Sequence, residues 1–515
     1  MTGLVNVYRS FAVIALGGLL FGYIIGINGN VVTSGQLLCA DDWNGPVGTW
    51  TSAGYRQCYK LDDLQMGFLS SLNLIGACLS SLICFRYADS LGRKLEVQIA
   101  AVLYLLGAAV AAASPVLWGV YIGFTIYGLG IGFAMHAAPV YIAEISPASV
   151  RGTLVSAKEA VVVLGIFLGF FFGWVFSFMD TVGWRYMVVI SGVFALAMAV
   201  SIGFIPQSPR FLVLKAVQGQ GLLAAPGGNA RMVEANSALA FFRRGSPAEE
   251  VESELTIMRR EIEASVGTEV AKCTDPFKYP LPLVIGCGLV FLQQVTGQPS
   301  VLYFATNIFK SAGFGSSAAL SSVGVGLVKL LATLFTVWRV DQYGRRRLLF
   351  IGISMMAVSL ALIGTAFIFR ECQKPGVSLS ECAKKDVGLP RSWALATVAG
   401  LMVYVSGYQV GFGPISWLMI SEVFPLKVRG AALSLAAVVN FGSNILMTLT
   451  QQVLQDALTP AGVFFGYFAL SLVSLVFVGA VVPETRGKTL EEIERMLVGD
   501  KRARDAPISG AGAQA

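Results

Sequence analysis

Two ionisable side chains and one pair of amides lie inside stretches of the sequence that are otherwise apolar. The ionisable residues are Glu159 and Lys329, and the adjacent amides are Gln293 and Gln294. A polar group in an apolar medium is costly unless it meets a partner, a ligand or a water-filled cavity. A buried carboxyl group is also readily neutralised by a proton or a cation. These four residues are therefore candidates for binding a polar ligand and an ion.

The composition indicates the medium around these residues. The chain has 515 residues, 55% of them hydrophobic and 13% charged, with a mean hydropathy of +0.69. Soluble domains carry about a quarter charged residues, so too little polar surface remains for a water-facing globule. The net charge of +7 comes from basic residues in short loops between apolar stretches. This placement indicates orientation in a membrane and argues against a nucleic-acid partner.

Apolar stretches long enough to cross a bilayer follow one another along the chain. A span needs about 20 mainly apolar residues. Twelve stretches qualify, at 9–32, 62–85, 96–113, 116–138, 153–178, 184–205, 281–309, 317–338, 348–369, 392–420, 431–455 and 461–482. The sequence therefore predicts an all-α membrane protein embedded in a lipid bilayer. We expect no cleaved leader, because the first span begins about seven residues from Met1.

Two charged motifs occur once in each half of the chain. Segment 141–152 recurs as 419–430, an offset of 278 residues (152 to 430), and segment 89–94 recurs as 341–346, an offset of 252 (89 to 341). Such repeats predict two pseudo-symmetric six-helix bundles with a substrate cavity between them. The domains that we expect are an N-terminal bundle, a cytosolic linker with helices, a C-terminal bundle and a disordered cytosolic tail, at 1–206, 207–279, 280–497 and 498–515.

The repeated motifs place opposite charges at helix ends. The residues concerned are Asp89, Arg93, Glu144, Arg151, Asp341, Arg345, Glu422 and Arg429. Glu144 has Arg93 or Arg151 as a partner, and in the second half Glu422 has Arg345 or Arg429. A conformational switch needs contacts that differ between its two states, so we interpret these charges as a gate. The alternative is charge that only orients the chain; recurrence in both halves favours the gate.

Basic residues also predict the orientation. Most arginines and lysines between spans lie on the side of the two termini, which we expect to be cytosolic. The loop 371–391 is an exception with four basic residues on the other side. Two pairs of cysteines on that outer side suggest disulfides in an oxidising space. They are Cys39 with Cys58, and Cys372 with Cys382.

Several motifs taken together resemble the sugar porter family of the major facilitator superfamily. They are Gly17-Gly-Leu-Leu-Phe-Gly-Tyr23, the two Glu/Arg-Gly motifs, Gly183-Trp-Arg-Tyr186, Ser208-Pro-Arg-Phe-Leu212, Gln293-Gln294 with Gly297, Gly411-Phe-Gly-Pro-Ile-Ser-Trp417 and Pro483-Glu-Thr-Arg-Gly-Lys-Thr. The sequences around Gln293 and around His136 are similar to the plant and algal branch named xylose–proton-symporter-like. The resemblance implies the major facilitator fold and carriage of a sugar.

The resemblance also implies which residues contact the sugar. They are Gln293, Gln294, Gln298, Trp417, Asn440, Asn444 and Glu159, which stands where the family has a glutamine. Amides both donate and accept hydrogen bonds, and an aromatic face suits the apolar C–H groups of a sugar. Hydrogen bonding between helices is the alternative role for Asn440 and Asn444. Packing in the core is the alternative for Trp417.

The chain departs from the family at the positions of proton coupling. The usual carboxylate of the first span is Ile24, and the usual arginine of the fourth is Phe124. We hypothesise that Glu159 and Lys329 pair across the two bundles instead, and that protonation of Glu159 loosens the pair. The alternatives are that each charge reaches water separately or that Lys158 is the partner of Glu159.

Two further positions depart from the family pattern. Pro299 replaces the usual asparagine after the glutamines, and Gln207 replaces an acidic residue before Ser-Pro-Arg, which weakens one gate contact. His136 is a weaker candidate for a proton relay, but the branch resemblance suggests structural packing near Pro139, and we interpret it as a packing residue. No metal-ligand spacing, nucleophile–base set or phosphate loop is present, so we expect no cofactor, no metal site and no enzymatic activity.

We therefore expect transport of a monosaccharide, a hexose or a pentose, by alternating access. Loss of the usual coupling pair favours facilitated diffusion, whereas Glu159 and the branch resemblance favour symport with a proton. A non-transporting sugar sensor is the alternative, although such proteins add a long cytosolic tail and only about 30 residues follow the last span. We expect a monomer in the plasma membrane or the vacuolar membrane.

Overall fold

Long apolar helices dominate the computed structural model of the chain. It describes residues 4–33, 59, 61–179, 183–219, 228–266, 275–303, 308–309, 318–372, 387–424, 428–486, 488 and 490–498. The helices before the linker are α1 Val5–Thr33, α2 Asp63–Leu91, α3 Arg93–Ala113, α4 Leu117–Ile145, α5 Ala148–Phe176 and α6 Gly183–Ile202. The linker holds α7 Pro209–Gly219, α8 Gly228–Phe242, α9 Ala248–Val266 and a 3₁₀ turn at Asp275–Lys278.

The second half repeats this pattern with more breaks. Its helices are α10 Pro280–Val295, α11 Gln298–Tyr303, α12 Ala318–Tyr343, α13 Arg345–Ile368, α14 Arg391–Val410, α15 Phe412–Val423, α16 Arg429–Val481 and α17 Leu490–Val498. Two short strands, β1 Glu371–Cys372 and β2 Val387–Gly388, pair antiparallel between α13 and α14. The long α16 turns at Thr459, whose φ of 62° is not helical, just before Pro460.

The prediction of twelve spans is confirmed: twelve helical stretches of the described residues are long and apolar enough to cross a membrane, two of them, Gly430–Gln451 and Ala457–Val481, within α16. Their edges differ from the predicted ones where a proline stands inside a helix. The fourth span continues through Pro139 to Ile145, which neighbouring helices allow in a membrane by pairing the freed backbone groups. Predicted span 281–309 is divided between α10 and α11, and 392–420 between α14 and α15.

The buried apolar residues form two large cores. One comes mainly from α1–α6 and the other mainly from α10–α16. The two meet where α5 packs on α12 and where α2 packs on α16. The exact domain boundaries at 206, 279 and 497 stay a prediction.

Close packing of α1 against α5 positions the polar start of α5. A Cβ atom at Gly22 of α1 would overlap the backbone at Val162, and one at Gly165 of α5 would overlap the backbone at Leu19. Only glycine permits backbones to approach this closely. The contact holds the preceding turn of α5, with Lys158 and Glu159, against α1.

The linker helices dock on the end of the first bundle. A small apolar core that includes Val213, Ala235 and Ile262 joins α7, α8 and α9. Arg243 of the turn after α8 donates to the carbonyl of Ile145 at 2.9 Å and to Glu254 of α9 at 2.7 Å. Because the buried guanidinium bonds to both partners, it connects the linker helices to the last residue of α4.

Candidate functional site

Two membrane-crossing segments are interrupted at glycine. Helix α10 ends at Val295 and α11 begins at Gln298, and Gly297 between them has φ +99°. A side chain there would be strained and would meet the ring of Tyr467 at 2.6 Å. The other interruption is Gly411, with φ −91° and ψ −90°, between α14 and α15.

Interrupted helices leave backbone polar groups without helical partners. In a membrane such breaks are tolerated where the backbone is buried in protein or lines a water-filled cavity, and transporters bind substrate at them. The predicted amides Gln293, Gln294 and Gln298 flank the first break. Tyr408 and Trp417 flank the second.

The amides beside the first break have unused acceptors. Gln293 and Gln294 are each only 3% exposed. The Nε2 of Gln293 donates to the Tyr408 hydroxyl at 2.7 Å. Within the described part of the chain, Oε1 of Gln293 and Oε1 of Gln294 have no hydrogen-bond partner. A buried acceptor without a donor costs about 1–3 kcal/mol, so these two oxygens favour a ligand that brings hydroxyl groups.

The other predicted contact residues lie in the second bundle. Trp417 and Gln298 are half-buried. Asn440 and Asn444 are buried in α16, at 7% and 5% exposure. The Oδ1 of Asn444 accepts from the Thr448 hydroxyl of the same helix at 3.3 Å. That bond lies within α16 and uses the oxygen of Asn444, not its amide nitrogen.

The two intramembrane charges have different neighbours in this conformation. Glu159 Oε1 lies 2.9 Å from Lys158 Nζ, in an ion pair. Lys329 is 3% exposed, and its Nζ lies 4.7 Å from the ring centroid of Tyr408. Among the described residues, the ion pair of Glu159 is thus with Lys158 and not with Lys329 in this conformation. Pairing of Glu159 with Lys329 in another conformation stays a prediction.

Tyr408 is the residue that the sequence analysis missed. Its ring faces Lys329 and its hydroxyl holds Gln293. One side chain thus contacts both the intramembrane cation and an amide of the candidate ligand site. The only cue in the sequence is its place three residues before the Gly411-Phe-Gly-Pro motif.

At one end of each bundle, arginine and glutamate form an ion pair; we call this the gate end. Arg93 Nε lies 3.3 Å from Glu144 Oε1, and Arg345 Nη2 lies 3.0 Å from Glu422 Oε1. Arg151 instead donates to the carbonyl of Ser146. The side chains of Asp89, Asp341 and Arg429 lie outside the described part of the structure. Whether the two pairs act as a gate stays a prediction.

The helices that carry these arginines are capped differently. Gly92 and Gly344, with φ +85° and +86°, precede α3 and α13. Gln207 accepts one bond, from the Lys94 amide at 2.9 Å. At the start of α13, Glu484 accepts two, from the amides of Arg345 and Arg346 at 3.1 Å each. A carboxylate also interacts favourably with the positive helix N-terminus, so the start of α13 is capped more strongly than the start of α3.

The gate end of the first bundle contains a further polar cluster. His136 Nδ1 lies 2.8 Å from Glu96 Oε2, a contact that our interpretation of His136 as a packing residue did not include. One donor atom each of Cys84, Glu96 and His136 lie within 4.8 Å of one another. Thiolate, carboxylate and imidazole are ligands that Zn²⁺ takes. Sequence spacing did not reveal this set, because its members come from three different helices.

The predicted outer disulfides are described only in part. Cys372 in β1 is disulfide-bonded. Cys39, Cys58 and Cys382 lie outside the described residues, so their pairing stays a prediction. Cys78, Cys84 and Cys287 are free thiols.

Comparison with known families identifies the chain's relatives. The family model described as sugar (and other) transporter matches residues 11–497. The chain belongs to this family. D-xylose-proton symporter-like 3, chloroplastic, of Arabidopsis thaliana is 41% identical over 96% of this chain and 83% of its own length. The D-xylose transporter of Levilactobacillus brevis is 32% identical over 94% of both chains.

Solved structures show the same fold. The inward open conformation of the xylose transporter XylE from E. coli is 26% identical, with a TM-score of 0.70 over 95% of this chain and 100% of that one. Its partially occluded inward open conformation gives a TM-score of 0.72 at 24% identity, over 94% and 99%. The sugar transporter described here therefore has the major facilitator fold and is a multi-pass integral membrane protein.

Proposed function

We propose that the protein carries a monosaccharide, a hexose or a pentose, across a membrane by alternating access together with a proton. Its family is described as sugar (and other) transporter, and the relatives named above are a D-xylose transporter and a protein named as D-xylose-proton symporter-like. The observation that carries the proposal is the pair of buried, unpartnered amide oxygens on Gln293 and Gln294. Sugar hydroxyls are the donors that these acceptors lack.

The proposed sugar site is assembled from the two broken segments and α16. Gln293, Gln294 and Gln298 would bond hydroxyls, and Trp417 would cover an apolar face of the sugar. Asn440 and Asn444 would supply further amide groups, with Glu159 closing the site from the first bundle. Because most of these groups are buried here, a sugar reaches them only when the two bundles move apart.

Proton coupling is proposed to act through Glu159 and Lys329. In this conformation Lys158 compensates Glu159, while Lys329 interacts with the ring of Tyr408, whose hydroxyl holds Gln293. Helices α5 and α12 belong to different bundles and pack on each other. Rocking of the bundles would therefore change the distance between the two charges. We propose that Glu159 exchanges Lys158 for Lys329 in the other state and that its protonation releases the pair.

The finer points of topology are also proposals. Basic loops favour cytosolic termini, and the two arginine–glutamate pairs favour a cytosolic gate between bundles 1–206 and 280–497. We propose a monomer, without enzymatic activity, in the plasma or vacuolar membrane. Because one relative is named as chloroplastic, the plastid envelope is the location to exclude. A fluorescent fusion imaged against markers of the plasma membrane, the vacuolar membrane and the plastid envelope distinguishes the three.

Uptake into proteoliposomes tests the function. Radiolabelled D-xylose and D-glucose are offered with and without an inward proton gradient, to the native protein and to Gln294→Leu. The matched control is Gln98→Leu, a half-buried glutamine of α3 remote from the breaks. We expect accumulation that a protonophore abolishes and that Gln294→Leu, but not Gln98→Leu, weakens. Binding of sugar without transport would instead support the sensor, and transport of neither sugar would refute the proposal.

A further inference from the structure

Three side chains outside the proposed sugar site converge at the gate end of the first bundle. They are Cys84 of α2, Glu96 of α3 and His136 of α4, and one donor atom of each lies within 4.8 Å of the others. We call these residues the three-helix cluster. Its members are 12 and 40 positions apart in the sequence (84 to 96 and 96 to 136), so only the packing of the helices brings them together.

The cluster is largely withdrawn from water. Glu96 is 0% exposed and Cys84 is 1% exposed, whereas the side chain of His136 is 19% exposed. A buried cysteine alone is an ordinary packing residue. A glutamate is almost never fully buried unless it is paired or binds a metal, so Glu96 is the member that requires an explanation.

The contacts of Glu96 leave it able to bind a further ligand. Its Oε2 lies 2.8 Å from His136 Nδ1. Its Oε1 has no hydrogen-bond partner among the described residues, although Arg93 Nη1 lies 4.0 Å away. The hydrogen bond with the imidazole thus satisfies one oxygen only, and a buried acceptor that lacks a donor is unfavourable.

The three donor types indicate which ligand fits. Thiolate, imidazole and carboxylate together suit Zn²⁺, whereas Ca²⁺ and Mg²⁺ prefer oxygen ligands alone. Bond lengths of about 2.0–2.3 Å in a tetrahedral zinc site place the donor atoms roughly 3.3–3.8 Å apart. The donor atoms of the cluster lie between 2.8 Å and 4.8 Å apart. Shifts of about 1 Å or less would therefore bring them to bonding distance of one ion.

A zinc ion also balances the charge of the cluster. A coordinating thiol is deprotonated, so Cys84 and Glu96 bring two negative charges and a neutral imidazole brings none. Zn²⁺ cancels both charges, and the loaded cluster then places no net charge in the protein interior, where an uncompensated charge is strongly unfavourable. Arg93, 4.0 Å from Oε1, matches the outer partner that a ligating carboxylate usually has.

The second bundle provides an internal comparison. By the repeat offsets of 252 and 278, the corresponding positions hold no thiol, carboxylate or imidazole; they are Thr336, Leu348 and Pro414. The arginine–glutamate gate pair nevertheless forms in both bundles. Neither the duplicated fold nor the gate pair therefore requires the three-helix cluster.

We propose that Cys84, Glu96 and His136 form a Zn²⁺ site that joins α2, α3 and α4 at the gate end of the first bundle. The fourth tetrahedral position is left to water, and the ion enters at the partly exposed edge of His136. Metal binding stabilises the folded chain, because the ligands meet only there. This proposal replaces the expectation of no metal site, which considered sequence spacing alone. The site is separate from the sugar site, so failure of sugar transport does not affect it.

Cobalt spectroscopy tests the thiolate ligand on the full-length protein. Purified protein in detergent is stripped with a chelator and loaded with Co²⁺, which shows a thiolate-to-cobalt charge-transfer band only when a cysteine binds it. We expect one Co²⁺ per chain, with a band that Zn²⁺ but not Mg²⁺ removes. Cys84→Ser should abolish the band, and the matched control Cys78→Ser, another free cysteine of α2, should keep it. No band in the native protein, or a band that survives Cys84→Ser, overturns the proposal.

Competition with a zinc-binding indicator tests the other two ligands. Glu96→Gln and His136→Gln should each lower the affinity for Zn²⁺ by more than the roughly 10–100-fold that loss of a supporting residue costs. Glu422→Gln, at the gate end of the second bundle, is the control and should leave the affinity unchanged. A smaller loss in either cluster variant contradicts a site with three protein ligands.

The native protein provides a test that needs no variant to fold. Histidine occurs once in the chain, so protein labelled with ¹³C-histidine in lipid nanodiscs gives a single imidazole signal, that of His136. One equivalent of Zn²⁺ should shift this signal and raise the temperature of unfolding, and Mg²⁺ should do neither. If Zn²⁺ leaves the signal in place, the proposal is wrong.

Discussion

The substitution Tyr408→Phe removes one hydroxyl group and so tests whether Tyr408 couples sugar binding at Gln293 to the charge of Lys329. The ring that faces Lys329 stays, and phenylalanine also attracts a cation. The 2.7 Å bond from Gln293 Nε2 is lost, which leaves a buried donor unpaired in the sugar-free carrier at a cost of about 1–3 kcal/mol. A bound sugar relieves this cost, because its hydroxyl oxygens accept hydrogen bonds.

The expected result is therefore tighter binding and slower coupled transport. If the sugar recovers about 1.4 kcal/mol of the cost, the dissociation constant falls about tenfold. Accumulation driven by a proton gradient should decrease, because the charge of Lys329 no longer acts on Gln293 through the hydroxyl. Isothermal titration calorimetry in detergent measures the first effect, and proteoliposome uptake measures the second.

The control is another buried tyrosine that bonds away from the site. The Tyr104 hydroxyl donates to the Gly17 carbonyl at 3.0 Å inside the first bundle, so Tyr104→Phe should lower thermal stability and leave sugar affinity unchanged. Binding that weakens tenfold or more in Tyr408→Phe would refute the reasoning, since the hydroxyl would then contact the sugar itself.

Three further predictions follow from contacts in the structure. Gln294→Leu should raise the dissociation constant for the sugar by roughly twofold to twelvefold, the equivalent of one net hydrogen bond of about 0.5–1.5 kcal/mol, as measured by calorimetry; unchanged affinity would remove Gln294 from the site. In a double-mutant cycle on transport rate, Glu159→Gln and Lys329→Met should be non-additive, and additive losses would end the idea that the two pair during the cycle. Gln207 accepts a hydrogen bond from the Lys94 amide at the start of α3, and Gln207→Glu should strengthen this cap by about 0.3–1 kcal/mol. The temperature of thermal unfolding should therefore rise, and a lower temperature would contradict the capping argument.

The architecture was largely predictable because its cause is local and strong. An apolar stretch in lipid must satisfy its backbone within itself, so length and composition suffice to place a helix. The two offsets of the charged motifs similarly revealed the duplication. The breaks at Gly297 and Gly411 were not predicted, since glycine is frequent in membrane helices and its conformation depends on what packs beside it, here Tyr467 and Gly352.

The candidate site was predictable in its residue types and less so in its contacts. An amide pair inside an apolar span is informative by itself, because burial without a partner is costly in any fold. Partner choice is different, since several cations compete for each carboxylate. Lys158, adjacent in sequence, holds Glu159 in this conformation, and Arg93 was one of two options for Glu144.

By itself the sequence determined the solvent, the number of spans, the duplication, and the presence of polar groups that an apolar interior does not tolerate alone. Only the tertiary structure decided which groups meet. It placed Tyr408 between Lys329 and Gln293, and it joined Glu96 to His136 across two helices. The physical reason is range: helix formation in lipid depends on neighbours within a few turns, whereas a hydrogen bond or an ion pair requires atoms from distant segments to lie within about 3–4 Å, which only the packing of the helices can arrange.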